Sequence, residues 1–383
     1  MSHQAKHIII GVGPAGLAMA GRLAHARESF VVLEQQDSLS PSWRQHYDRV
    51  HLHTVKAYSA LPHFPFSKEF PRYIPRQQLV EYYESYAEKF GIKPHFGKEV
   101  TSIKKDNGWQ VSCTDGSNYE GENVIVCTGF NRKPNEPTWE GMEQFRGEIL
   151  HSRFYKNGSK WKGKSVLVVG MGNTGAELSI DLYEHGATPY LSVRGPVNIV
   201  LRDLFGRPTQ VTAMKLKKLP VWMSDWIGKQ VSRLSVGNLK LYGLDRPDMA
   251  PLAQLRKFGK TPVIDVGTVD LIKSGKVKVY PGIDAFLEKG VRFTDGRELE
   301  VDAVVLATGY HCAVEEFLDK TEGIFNEHQV PRSLWLDQYP GLYFLGFDAY
   351  ASGLLWAIYQ DSEKILKHLL AGKKVKEASS ETA

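Results

Sequence analysis

Two short apolar runs dominate the pattern of hydrophobic and polar positions, and a glycine-rich turn and a helical pattern follow each of them. Residues 7–10 precede GVGPAG, and residues 165–169 precede GMGNTG. In this GxGxxG spacing the first glycine allows a tight turn, the second lets backbone approach a pyrophosphate, and the third lets the helix pack on the strand. The pattern predicts two strand–turn–helix units that each bind a dinucleotide. The fingerprint glycines are Gly11, Gly13, Gly16, Gly170, Gly172 and Gly175.

The charged residue that ends the next predicted strand distinguishes the two units. Residues 30–33 lead to Glu34, a carboxylate that can accept hydrogen bonds from a ribose diol and therefore favours FAD or NAD(H). Residues 190–193 lead to Arg194, a cation that favours the 2′-phosphate of NADPH. Solvated strand ends are also often charged, which is the alternative explanation for both residues.

Periodicity predicts further elements around these units. A proline- and aromatic-rich stretch over residues 38–75 is predicted to be a long ordered loop, and residues 373–383 a frayed tail. Predicted helices cover residues 17–26, 77–90, 174–185 and 353–370. Predicted strands lie within residues 100–115, 124–127, 276–280, 285–287, 291–294, 302–307 and 341–346.

Two apolar strands end in the same Thr-Gly pair, Thr128–Gly129 and Thr308–Gly309. We interpret them as the two crossings between a first nucleotide domain and a second one inserted into it. The predicted fold is α/β with two Rossmann-like dinucleotide-binding domains, the first discontinuous over residues 1–155 and 301–383 and the second over residues 156–300. Residues 198–261 are predicted to form a helical insertion with Trp222 and Trp226. Aromatic spacing does not distinguish a lid over a pocket from an ordinary packing element.

Composition is that of an ordinary globular protein and excludes several functional classes. Of 383 residues, 42% are apolar and 24% charged, and the net charge of +5 is too mild to argue for a nucleic-acid partner. Cys113, Cys127 and Cys312 form no CxxC pair and no cluster with histidine, which indicates a reducing compartment and no metal. No signal peptide precedes the first strand, and no apolar run is long enough to span a bilayer. We therefore expect a cytoplasmic protein without a membrane partner.

The segment between the two units carries a third motif. FRGEILHSRFY places Phe145, Gly147, His151 and Tyr155 in the spacing FxGxxxHxxxY. This resembles the fingerprint of flavin-dependent monooxygenases that hold FAD and NADPH on one chain. DRVHLHTVKAYSALPHFPF and VLATGY further resemble the YUCCA-type members of that class, and the likeness extends over nearly the whole chain, the helical insertion included.

The resemblance implies a function. FAD would occupy the first unit and NADPH the second, and the reaction would be the oxidative decarboxylation of indole-3-pyruvate to indole-3-acetate, the auxin, through a flavin C4a-(hydro)peroxide. Oxygenation of an amine or a sulfide is the alternative served by the same motifs, and a non-catalytic flavin-bound sensor is a more distant one. A dithiol flavoprotein reductase needs a CxxC pair that the chain lacks. The partners would be a small-molecule substrate and dioxygen, and the sequence does not decide between a monomer and a homodimer.

Candidate site residues follow from the motifs and the resemblance. His53 stands where many relatives carry asparagine, and it would donate to the flavin edge or tune proton transfer, unless it only holds the long loop in position. Trp43 and Arg44 resemble the family's flavin-contacting pair. Asn173 and Thr174 are predicted to cap the second helix and to meet the NADPH pyrophosphate. The other predicted cofactor contacts are Pro14, Ala15, Thr54, Thr128, Gly129, Thr308, Gly309 and Gly346.

Three further positions carry more specific expectations. Arg202 is expected to join Arg194 in clamping the 2′-phosphate. His151 either has a catalytic role or packs the joint between the domains. Trp356 stands directly after Gly353–Leu354–Leu355, where the family has a small residue. We expect these four residues to line a flavin pocket whose shape differs from that of the family.

Overall fold

The computed structural model describes residues 2–347 and 351–380. In this part of the chain the helices α1 to α9 span Pro14–His25, Pro41–Gln45, Arg76–Lys89, Asn173–Glu184, Thr209–Leu216, Val221–Val236, Pro251–Phe258, Thr268–Lys273 and Leu354–Ser380. The strands β1 to β11 span Ser2–Gln4, His7–Ile10, Phe30–Leu33, Val100–Lys105, Trp109–Cys113, Asn118–Gly121, Asn123–Val126, Lys133–Pro134, Glu148–His151, Ser165–Val169 and Thr188–Ser192. The strands β12 to β22 span Ile199–Leu201, Asp203–Leu204, Arg207–Pro208, Val263–Asp265, Lys278–Tyr280, Ile283–Leu287, Gly290–Phe293, Glu298–Glu300, Ala303–Leu306, Tyr310–His311 and Leu342–Phe344.

Two parallel sheets organise the molecule. The first has the strand order β22-β7-β2-β3, and the second has the order β16-β11-β10-β20-β9. The central strands β2 and β20 are buried along their whole length, as their continuous apolar runs require in a sheet covered on both faces. Helices α3 and α9 pack on α1 over the first sheet. The α/β fold with two Rossmann-like units is confirmed.

The chain crosses between the two units twice, and the crossings lie side by side. Strand β8 pairs with β21 in an antiparallel ladder, with Lys133 opposite His311. The Thr308 hydroxyl donates to the backbone carbonyl of Asn135 over 2.5 Å, and the side-chain amide of Asn135 donates to the Thr308 carbonyl over 3.3 Å. The two Thr-Gly pairs therefore mark the places where the chain leaves each sheet.

The predicted domain boundaries need a correction. Residues 148–151 and 303–306 are expected in the first domain, yet β9 and β20 pair with each other and with β10 in the second sheet. The reason is that an apolar run predicts a strand but does not specify its partner in the sheet, because that partner can be distant in the sequence. The second unit therefore begins at β9 and extends through β20.

Residues between β12 and β15 form the helical insertion, which contains α5, α6 and α7. Several hydrogen bonds attach it to the first unit. Tyr73 donates its hydroxyl to Asp203 over 2.8 Å, and the Gln210 side chain accepts from the Val55 amide over 2.9 Å while donating to the Ser352 carbonyl. These contacts hold the insertion beside the loop that follows His53.

The C-terminal expectation is also wrong in part. Helix α9 continues to Ser380, although residues 373–383 are predicted to fray. The sequence KKVKEASS contains no proline or glycine after Gly372, so nothing in it stops a helix that has already been nucleated by packing. Residues 381–383 lie outside the described part of the chain. Among the described residues, no helix has the length and apolar character needed to cross a membrane.

Candidate active site

The first fingerprint forms a turn that only glycine satisfies at two of its three positions. Gly11 adopts φ +98°, and a Cβ on it would lie 2.8 Å from the Cys127 carbonyl oxygen. A Cβ on Gly16 would lie 1.9 Å from the Gly11 carbonyl oxygen, so this glycine lets α1 pack on its strand. Gly13, the N-cap of α1, faces open space with no atom within 4 Å of the position of a Cβ. The open space lies where helix N–H groups can meet a phosphate.

The second fingerprint repeats this geometry. Gly170 adopts φ +103°, a Cβ on Gly175 would lie 1.9 Å from the Gly170 carbonyl oxygen, and Gly172 again faces open space. The N-cap of α4 is Gly172, without a side-chain capping bond. The expectation that Asn173 caps the helix is therefore wrong, because its side-chain oxygen accepts from the Ile264 amide over 2.7 Å.

A cavity of about 470 Å³ lies where the two units meet. This size falls in the range of small-molecule and cofactor sites, roughly 300–1,000 Å³. The start of α1 lines it together with Asn173, Thr174 and Glu177 of α4, so the two nucleotide units border one space, although the glycines of the second fingerprint do not line it. The predicted site residues that line the cavity are Gly11, Gly13, Pro14, Ala15, Glu34, Trp43, His53, Thr54, Thr128, Gly129, Asn173, Thr174 and Gly346.

Glu34 sits at the cavity edge with its carboxylate already oriented. Its two oxygens accept from the amides of Val12 (3.0 Å) and Gln36 (2.9 Å). Burial raises the pKa of Glu34 above its usual range, while these amide donors oppose that rise. The amide bonds fix the carboxylate next to the phosphate turn, in the position that a ribose diol requires.

His53 and Glu177 form the most buried charged contact in the cavity wall. Nε2 of His53 lies 2.5 Å from Oε1 of Glu177, and the side chains are 16% and 4% exposed. The Tyr47 hydroxyl lies beside them, and burial together with the Glu177 charge raises the pKa of Tyr47 well above its usual value. Because His53 belongs to the long loop of the first unit and Glu177 to α4 of the second, this contact joins the two units inside the cavity.

The cavity fits the flavin nucleotide that the fingerprint predicts. Thr128 Oγ1 is buried at the cavity wall and has no hydrogen-bond partner among the described residues. Buried hydroxyls are nearly always satisfied, so this atom points to a polar ligand. Together with the open space at Gly13 and the oriented Glu34 carboxylate, it supplies contacts for a hydroxyl or phosphate, a pyrophosphate and a ribose.

Two predicted flavin contacts turn away from the cavity. The Arg44 guanidinium donates to the Leu39 carbonyl over 2.8 Å and pairs with Glu84 of α3, so the structure does not support it as a flavin contact. Trp356 stacks on Tyr359 at 5.2 Å between ring centroids and meets the edge of Tyr58. The cavity is lined instead by its helical neighbours Leu354, Leu355 and Ile358.

The two arginines that are predicted to bind the 2′-phosphate lie in different environments. Arg194 is exposed at the end of β11, and its side chain makes no hydrogen bond or ion pair with the described residues. Arg202 instead lies over the Tyr73 ring, 4.2 Å from its centroid, and its Nε is 3.5 Å from Asp203. The shared clamp is therefore not formed here, and Arg194 alone stays a prediction for the 2′-phosphate.

The FxGxxxHxxxY motif packs the joint between the units. The Phe145 ring occupies the space beside Gly147, where a Cβ would come within 2.4 Å of it. His151 is buried, its Nδ1 accepts from the Arg153 amide, and its Nε2 donates to the Gly309 carbonyl over 3.1 Å. Tyr155 donates to Asp181 over 2.5 Å. Burial lowers the pKa of His151, in keeping with a neutral ring that serves the joint.

Sequence reasoning missed several cavity residues. Glu177 follows Asn173 by four positions, so helical spacing places both on one face of α4 and could have identified it. His46 and Tyr47 lie in the long loop, where no periodicity predicts orientation. Arg132 and Arg153 also line the cavity, and Arg132 pairs with Glu316. No group of three or more histidine, cysteine, aspartate or glutamate residues in the described part of the chain could hold a metal ion.

Comparison with known proteins places these features in a family. Residues 34–340 match the flavin-binding monooxygenase-like family. The chain is 39% identical over 356 residues to the probable indole-3-pyruvate monooxygenase YUCCA3 of Arabidopsis thaliana, covering 89% of this chain and 81% of that protein. It is 40% identical over 348 residues to the indole-3-pyruvate monooxygenase YUCCA1 of Oryza sativa subsp. japonica, covering 89% and 86%.

Solved structures share the fold at lower identity. A flavin-containing monooxygenase from Stenotrophomonas maltophilia superposes with a TM-score of 0.72 at 19% identity, covering 96% of this chain and 99% of that one. A cyclohexanone monooxygenase from Rhodococcus sp. Phi1 bound to NADP⁺ gives a TM-score of 0.68 at 18% identity, covering 96% and 85%. These similarities support the two-unit architecture described above.

Proposed function

The chain belongs to the flavin-binding monooxygenase-like family, and from this membership we propose that it uses FAD and NADPH to convert indole-3-pyruvate into indole-3-acetate. The observation that carries the proposal is the identity of 39% to 40%, over 89% of the chain, to proteins named for indole-3-pyruvate oxygenation. The joint cavity supports it, because a nicotinamide can reduce a flavin only where both nucleotides meet.

The overall reaction balances with the two cofactors. Indole-3-pyruvate, dioxygen, NADPH and a proton yield indole-3-acetate, carbon dioxide, NADP⁺ and water. When bound, the flavin supplies the transfer of two electrons and the activation of dioxygen. The remaining requirements fall on the protein: to bind both nucleotides, to orient them, and to exclude water.

The first unit holds FAD in this proposal. The turn at Gly11 and Gly13 receives the pyrophosphate at the start of α1, and Glu34 accepts from the ribose. Thr128, which lies beside Gly11, offers its unpartnered hydroxyl to the same ligand. At the second unit, Gly172 and Arg194 receive the pyrophosphate and the 2′-phosphate of NADPH.

His53 is the candidate for proton handling near the reacting atoms. Its imidazole lines the cavity, and Oε1 of Glu177 accepts a hydrogen bond from its Nε2. The carboxylate orients the imidazole ring, which is the task of a positioning residue. Burial of this pair limits access of water to the cavity wall. The three cysteines are free and buried, in keeping with the cytoplasm as the expected location.

The test uses the FAD-loaded protein with NADPH and ¹⁸O₂. We expect indole-3-pyruvate to give one indole-3-acetate and one carbon dioxide per NADPH, with one labelled oxygen in the product carboxylate. Phenylpyruvate and a thioether, assayed in parallel, report the preferred class of substrate. Oxygenation of the thioether without turnover of indole-3-pyruvate would favour the amine or sulfide alternative, and hydrogen peroxide as the sole oxygen product would reject the oxygenase.

A further inference from the structure

The helical insertion exposes an unusual amount of apolar surface. Nine of the thirteen large apolar side chains that are exposed in the described part of the chain lie between residues 205 and 258. Phe205 is 96% exposed, Trp222 72%, Trp226 61% and Val221 60%. Tryptophan is costly to leave in water, and exposed apolar patches on soluble domains mark interaction sites.

Helix α6 separates this surface from a buried face. Trp222 and Trp226 are one turn apart and therefore project from the same side of the helix. Ser224, Ser232 and Val236 are buried on another side, and the Ser232 hydroxyl donates to the Ile199 carbonyl over 2.7 Å. The tryptophans are thus not core residues, so the packing-element interpretation does not account for them.

The helical insertion is also much more basic than the rest of the chain. Residues 198–261 contain twelve Lys and Arg and four Asp and Glu, a net charge of +8, whereas the whole chain carries +5. The rest of the chain is therefore net −3, and the mild overall charge conceals a strongly basic segment. Lys215 and Lys218 are exposed immediately before the apolar run 219–222, and Asp225 is paired with Arg256.

We propose that this surface, formed by Lys215, Lys218, Leu219, Val221, Trp222 and Trp226, docks on an anionic phospholipid bilayer. Tryptophan suits the boundary between headgroups and acyl chains, and lysines beside it are attracted to acidic headgroups. A second copy of the chain fits less well, because two insertions of net charge +8 repel each other. Peripheral binding of this kind needs no spanning helix, and the proposal departs from the sequence expectation of no membrane partner.

Co-sedimentation of the FAD-loaded protein with vesicles tests the proposal. We expect binding to vesicles of phosphatidylcholine with 30% phosphatidylglycerol, and little binding to phosphatidylcholine alone. Lys215→Ala/Lys218→Ala should weaken binding about twenty-five-fold, since each lysine near an anionic surface contributes roughly fivefold. Trp222→Ser/Trp226→Ser should weaken it at least tenfold, with unchanged thermal unfolding and unchanged NADPH oxidation in solution.

Matched variants elsewhere provide the control. Lys93→Ala/Lys289→Ala removes two exposed lysines, and Phe154→Ser removes a ring that is 67% exposed, and neither should alter vesicle binding. Equal binding by the tryptophan variant and the unchanged protein would overturn the proposal. So would a dimer in sedimentation velocity that the tryptophan variant abolishes, because the occupant would then be a second copy. Both readouts are independent of which substrate the enzyme oxidises.

Discussion

His53 and Glu177 are 124 positions apart in the sequence, yet Nε2 of the first lies 2.5 Å from Oε1 of the second. His53 comes from the long loop of the first unit and Glu177 from the helix that follows the second fingerprint. The contact makes the orientation of a cavity imidazole depend on the second nucleotide unit.

The first prediction concerns the energy of this contact. His53→Gln and Glu177→Gln should each destabilise the FAD-loaded protein, and a double-mutant cycle should give a coupling free energy of about 1–3 kcal/mol, because the pair is buried. Denaturant unfolding measures it. The surface pair Lys160–Glu148, whose side chains are 52% and 47% exposed, serves as the control, with an expected coupling below about 1 kcal/mol. Equal coupling in both pairs would refute a special role for His53–Glu177.

A second prediction separates glycines that serve the ligand from glycines that serve the fold. Gly13→Ala meets open space, so the cofactor-free protein should keep its thermal stability but lose FAD affinity at least tenfold. Gly16→Ala places a Cβ 1.9 Å from a carbonyl oxygen and should prevent folding. Absorbance of bound flavin after gel filtration measures the first effect.

The matched variant in the second unit is Gly172→Ala. It should retain FAD and raise the KM for NADPH, since Gly172 also faces open space. Loss of FAD from Gly172→Ala, or retention of FAD by Gly13→Ala, would contradict the assignment of the two units.

The third prediction concerns selection of NADPH over NADH. Arg194→Ala should raise the KM for NADPH by about ten- to a hundredfold with little change for NADH, because a charge-assisted contact to the 2′-phosphate is lost. Arg202→Ala should affect both nucleotides alike, since Arg202 contacts Tyr73 and Asp203. Steady-state kinetics with NADPH and with NADH measure both effects. If Arg202→Ala raised the KM for NADPH alone, Arg202 rather than Arg194 would be the residue that binds the 2′-phosphate.

The fourth prediction is a dependence of stability on pH. Burial, with a smaller effect of Lys6, lowers the pKa of His7 to about 4, against about 6.5 in an unfolded chain. Between these values the unfolded state binds more protons, so stability is lost as pH falls from about 6.5 towards 4, by up to about 3 kcal/mol. His7→Asn should flatten this part of the profile in urea unfolding at several pH values. An unchanged slope in His7→Asn would show that His7 does not titrate in this way.

Individual helices and strands could be predicted because the pattern of neighbouring residues determines them. The strand Phe30–Leu33 is predicted to the residue, and the predicted helix over residues 77–90 differs from Arg76–Lys89 by one position at each end. Apolar periodicity and glycine spacing specify such elements directly. The assignment of residues 148–151 to the first domain failed because the strand that they form, Glu148–His151, pairs with Ala303–Leu306, more than 150 residues away.

By itself, the sequence determined the two nucleotide units, their order and the family. GxGxxG spacing, Glu34, Arg194 and FxGxxxHxxxY are all carried by neighbouring residues. Only the tertiary structure decided that α1 and α4 border one cavity, that Glu177 meets His53, and that Arg44 and Trp356 face elsewhere. The physical reason is that side-chain direction in the long loop and contacts between units depend on packing across the whole chain, which no local pattern encodes.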